Sequence, residues 1–103
     1  MKIRFQRVKT KLGFLNKMSL IINNAFIYDL KNGEVFTYES NDIKTILIQA
    51  KPLVKDLIIP VDNFNESVDI LLQFKIKLFN NYIHAIVSEN GKLIGTFPIE
   101  EIN

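Results

Sequence analysis

The chain has 103 residues, 48% of them hydrophobic, with thirteen basic residues against eleven acidic ones, a net charge of +2 and no cysteine. That apolar content suits one packed domain rather than a disordered chain, and the lack of cysteine excludes disulfides and thiolate metal sites while fitting a reducing compartment. The longest apolar runs, such as Thr45-Ile46-Leu47-Ile48, are far too short to span a bilayer, and no apolar signal region precedes a cleavage site.

The charge is unevenly placed along the sequence. Lys2, Arg4, Arg7, Lys9, Lys11 and Lys17 all precede the first acid, Asp29. Such a basic leader reads most simply as a solvated face, and otherwise as a contact for nucleic acid, anionic lipid or a nucleotide phosphate. No nucleic-acid signature accompanies it, and nucleic acid is not an expected partner.

In chain order, Met1 to Val8 alternates Ile3, Phe5 and Val8 with charged residues, which predicts a short strand. From Lys9 to Ile22 the spacing of Leu12, Leu15, Met18 and Ile22 predicts a helix, weakened by Gly13. Asn23-Asn24 ends it, and strands are predicted over 25–28 and 34–38 around a turn at 29–33. Ser40-Asn41-Asp42 offers a cap for a helix from Ile43 to Lys51, which stops before Pro52. Pro52 and Pro60 then bracket a linking segment. A helix is predicted from Asn65 through Phe74 towards Phe79, carried by Val68, Leu71, Leu72 and Phe79. Tyr82–Val87 and Leu93–Phe97 read as strands around Ser88-Glu89-Asn90-Gly91-Lys92, where Asn-Gly is the strongest hairpin signal in the chain. Pro98 suits the first turn of a closing helix.

The run AIVSENGKLIGTFPIEEI resembles the second half of a CBS (cystathionine-β-synthase) domain, with Ile86, Val87, Gly91, Leu93, Gly95 and Ile102 in register with that family's pattern. The preceding ESVDILLQFKIKLFNNYIHAIV resembles the helix and second strand of the same module. Laying Asp42-Ile43 over Glu101-Ile102 repeats the order of elements, with Val35 over Ile94 and Ile27 over Ile86. The resemblance therefore implies an α/β fold of two tandem repeats, an incomplete one at 1–50 and a second at 51–103, each a small sheet packed by helices about a pseudo-twofold. Both ends read as cut from a longer protein. Within the family, Asp69-Ile70-Leu71-Leu72-Gln73-Phe74 and Ala85-Ile86-Val87 are similar to the CorC/hemolysin-like branch, associated with magnesium and cobalt efflux.

A CBS pair implies an adenosine nucleotide, AMP or ATP with magnesium, held between the repeats. The resemblance carries the binding role onto Asp42, Glu101, His84, Ile59 and Thr96. The family's ribose grip sets a hydroxyl and a carboxylate three residues apart. Here the two grips read Glu39-Ser40-Asn41-Asp42 and Pro98-Ile99-Glu100-Glu101, neither with a hydroxyl at the first position. Asp42 reads more simply as a helix-cap carboxylate, Glu101 as a solvated first turn, and His84 as a half-exposed strand residue. His84 is the only histidine and the glycines are scattered, so no standard zinc site, catalytic constellation or phosphate loop is formed, and an enzyme is not expected. Two functions follow: a cytoplasmic regulatory module that senses a nucleotide and controls an absent effector such as an ion transporter, or a structural module that dimerises without a ligand. Either one is expected to be a homodimer.

Overall fold

The computed structural model describes residues 1–11, 17–51, 54–77 and 80–99, with Ile76, Lys77 and Asn80 described by their backbone alone. Among the described residues there are nine strands: β1 (Lys2–Arg7), β2 (Lys17–Ile22), β3 (Phe26–Leu30), β4 (Val35–Glu39), β5 (Ile46–Lys51), β6 (Leu57–Ile59), β7 (Ser67–Lys77), β8 (Asn80–Glu89) and β9 (Lys92–Phe97). They form a five-stranded sheet in the order β4-β1-β7-β8-β9 and a four-stranded sheet in the order β3-β2-β5-β6. All ladders are antiparallel except β1 with β7, where Lys2 to Arg7 lie beside Ser67 to Leu72 in parallel.

The expected α/β architecture of CBS-like repeats is overturned, because the described residues contain no helix. Three segments expected as helices are strands, and the reason is the same in each. Met18, Leu20 and Ile22 of β2, Ile46, Ile48 and Ala50 of β5, and Val68, Ile70 and Leu72 of β7 are buried at every second position. That period of two places one row of side chains between the sheets and the other outside. The part of the first expected helix at 12–16, and the closing one at 100–103, lie outside the described residues. The strands expected over 1–8, 25–28, 34–38, 82–87 and 93–97 coincide with β1, β3, β4, β8 and β9.

The inner rows of both sheets, with Ile43 and Phe64 from the connecting segments, meet in one core of nineteen buried hydrophobic residues among those described, including Ile3, Phe5, Leu20, Ile48, Ile70 and Ala85. Each buried Ile, Leu or Phe side chain among them contributes roughly 1.5–3 kcal/mol. The buried charged side chain of this core is Arg7, at the end of β1. Its Nη1 donates to the Leu30 carbonyl at 2.7 Å, and its guanidinium lies 5.2 Å from the centre of the Phe74 ring. Burial lowers its pKa from the ordinary arginine value.

Consecutive strands β3 and β4 belong to different sheets, so the turn joining them closes one side of the sandwich. Gly33 has a φ of 79°, the left-handed value that the third residue of a type II turn needs, and the Glu34 N–H closes the turn on the Lys31 carbonyl at 2.9 Å. Across the gap, Tyr28 stacks on Phe36 at 3.8 Å and Phe26 on Tyr38 at 4.8 Å between ring centres. On the opposite side β8 and β9 join through Asn90 (φ 53°) and Gly91 (φ 78°), the left-handed pair that a two-residue hairpin turn requires. A bulge follows: Val87 faces Gly95 but Ser88 faces Leu93, leaving Ile94 as the extra residue, packed against the core.

Candidate functional site: an apolar row and a basic end

Two surface features arise from this register. The first lies on the outer face of the four-stranded sheet. Ile21 of β2 faces Ile27 of β3 on one side and Leu47 of β5 on the other, and Leu47 in turn faces Ile58 of β6. Four aliphatic side chains thus form one straight row across every strand of the sheet. Its ends are the most open, Ile27 at 64% and Ile58 at 71% exposed, while Ile21 and Leu47 are half-buried. The neighbouring row is polar: Asp29 accepts from the Ser19 hydroxyl at 2.8 Å and from Lys17 at 3.1 Å, and Gln49 donates to Asp56 at 3.1 Å. The Ser19 and Lys17 contacts hold the Asp29 carboxyl below its ordinary pKa.

The second feature is electrostatic. One end of the sandwich collects the close of β1 and β7, the start of β2, the β3–β4 turn and the close of β5. It carries Lys9, Lys11 and Lys17, then Lys31, Lys51 and Lys55, then Lys75 and Lys77 together with buried Arg7. Nine of the thirteen basic residues therefore lie at this end. Its three described acids are already engaged: Asp29 as above, Asp56 by Gln49, and Glu34 by the Tyr28 hydroxyl at 2.6 Å and the Lys31 N–H at 2.8 Å. The Lys31 N–H first, then the Tyr28 hydroxyl, lower the Glu34 pKa. The opposite end holds Glu39, Asp42, Asp62, Glu66, Asp69 and Glu89 with Lys2, Arg4, Lys44 and Lys92. The basic leader expected from the sequence is split between the two ends, with Lys2 and Arg4 at the acidic one.

No family model, curated protein or solved structure matches the chain.

The residues expected to hold a nucleotide are dispersed. Asp42 is exposed in the segment between β4 and β5, at the acidic end, where its carbonyl accepts from Asn23 Nδ2 at 2.5 Å and its N–H donates to Ser40 Oγ at 3.1 Å. Its carboxylate lies 3.9 Å from Lys44 Nζ. Ile59 is buried in the core, paired with Ile46. His84 is half-buried on the outer face of the five-stranded sheet opposite Gln73, and no described hydrogen bond reaches its buried Nδ1. Thr96 is exposed on that face, opposite Ile86, so His84 and Thr96 are diagonal neighbours on adjacent strands. Glu101 lies outside the described residues. Among the described residues no three His, Asp or Glu side chains gather as a metal site, and no helix is long and apolar enough to cross a membrane.

Neither the apolar row nor the basic end was anticipated by motif. Ile21, Ile27, Leu47 and Ile58 are scattered in sequence, and only strand register aligns them. A period-two reading of each segment would have placed all four outward.

Proposed function

We propose that the chain is a non-catalytic structural module that pairs with a second copy of itself through the outer face of the four-stranded sheet. The observation that carries this reading is the row Ile27–Ile21–Leu47–Ile58, four aliphatic side chains turned away from the core. Water-facing rows of antiparallel sheets are normally polar, and a contiguous apolar patch on a small protein marks a contact surface. The row is most exposed at both ends and less so in the middle, so it can meet a copy of itself in an isologous contact, row against row.

The size of the face sets the strength. Four strands about 4.8 Å apart and about 20 Å long offer on the order of 300 Å² per copy, below the roughly 800 Å² per partner of a standard stable interface. The dimer is therefore weak and concentration-dependent. Sedimentation equilibrium across a hundredfold range of concentration should show a reversible rise in mass towards twice the monomer. Ile58→Lys and Ile27→Glu should each hold the protein at monomer mass with an unchanged melting temperature, because both side chains are largely exposed. A monomer throughout, or a dimer indifferent to both substitutions, would refute the proposal.

A further inference from the structure

We infer that the basic end of the sandwich docks on an anionic lipid surface. Lys9, Lys11, Lys31, Lys51, Lys55 and Lys75 are all exposed there, and the ion pairs among the described residues, Arg4–Asp69, Lys17–Asp29 and Lys44–Asp42, involve none of them. Among the described residues, three carboxylates at that end stand against nine basic residues, so a clear positive excess remains there. The six come from four separate parts of the chain and from both sheets, so they are spread over the end rather than strung along one strand. A plane of negative headgroups can meet several of them at once.

The residue type favours the same partner. The exposed bases are lysines, and the arginine of this end, Arg7, is buried. Lysine presents a strongly hydrated point charge on a flexible stem, whereas arginine supplies the bidentate and stacking contacts of nucleic-acid recognition. Diffuse attraction to a charged leaflet needs only the former. Ile99, 76% exposed and just beyond the close of β9, adds an apolar side chain at the same end. Lys2 lies beside Ser67, eight residues of β7 from Lys75; at about 3.3 Å per residue that is roughly 26 Å, about three Debye lengths of roughly 8 Å.

The test uses the whole chain and two sets of charge-removing substitutions. Wild type should co-sediment with phosphatidylcholine vesicles containing phosphatidylserine, but not with phosphatidylcholine alone, and half-molar salt should abolish the binding. Each lysine near the leaflet strengthens binding roughly fivefold, so Lys9→Gln, Lys31→Gln, Lys55→Gln and Lys75→Gln combined should weaken it several hundredfold. Lys2→Gln, Lys44→Gln and Lys92→Gln combined lower the net charge almost as much but lie at the far end, and should leave binding within about twofold. Far-ultraviolet circular dichroism and melting temperature check that both variants fold. Absence of binding to the anionic vesicles at low salt would overturn the inference, as would equal losses in the two variants. Tighter binding to a duplex or single-stranded oligonucleotide than to the vesicles, dependent on the same four lysines, would overturn it in favour of nucleic acid.

Discussion

Glu34 uses both carboxylate oxygens to hold the turn between the sheets, one on the Lys31 N–H and one on the Tyr28 hydroxyl. These bonds act on the two partners in opposite directions, lowering the Glu34 pKa and raising that of Tyr28. A carboxyl with a lowered pKa stabilises the fold above its unfolded value and loses that contribution as pH falls through the folded one. A tyrosine with a raised pKa does the reverse: its contribution is complete below its unfolded value and is lost as pH rises through the folded one. The melting temperature should therefore decline below about pH 4 and again above about pH 10. In Glu34→Gln both declines should be shallower, with a residual acid slope from Asp29, and identical slopes in the two proteins would contradict this account. None of this pairing is visible in the sequence, where Tyr28 and Glu34 are simply six residues apart across a turn. What the sequence did disclose at this scale was turn chemistry, since Asn90-Gly91 sits where an asparagine–glycine hairpin signal places it.

Among the elements, β7 shows why three of the nine described strands read as helices. Val68, Leu71 and Leu72 fit a helical stripe, while Val68, Ile70, Leu72 and Phe74 fit a strand, and the same letters satisfy both periods. Leu71 is the residue that confuses them. It belongs to the outer row, opposite Ile86, where an apolar side chain breaks the alternation. The β-branched residues of β2 and β5 argued for strands, but tertiary pairing, not local propensity, decides between the two. Strands whose own sequence alternates cleanly, such as β1 and β4, were legible. Position in the sheet also orders their stability. Amide exchange should be slowest in β1, β7 and β8, which are paired on both sides, and faster by at least tenfold in the outward-facing amides of the edge strands β4 and β9. Equal protection across the five-stranded sheet would rule out this strand order.

At the scale of the whole molecule, one core joins the two sheets, and a strand from near the beginning of the chain lies inside the sheet built mainly from its later half. Unfolding should accordingly be one cooperative transition, with far-ultraviolet circular dichroism and the fluorescence of the three tyrosines changing together. Two separated transitions would refute it. The chain's radius of gyration of 13.2 Å matches about 13 Å for a globular chain of this length. The charge pattern belongs to this scale too: lysines far apart in sequence share an end only because the strands carrying them are laid side by side. The parallel pairing of β1 with β7 also fixes an order of events on the ribosome. β2, β3, β5 and β6 leave the exit tunnel early and can assemble the small sheet as they emerge. β1 emerges before any of them, but its inner neighbour Ser67–Leu72 does not yet exist. Until that neighbour is made, Ile3 and Phe5 belong to a strand with one open edge, able to pair with whatever strand is nearest, including the same segment on an adjacent ribosome of the same message. The last third of the chain, in closing that edge, protects the first few residues from their own copies.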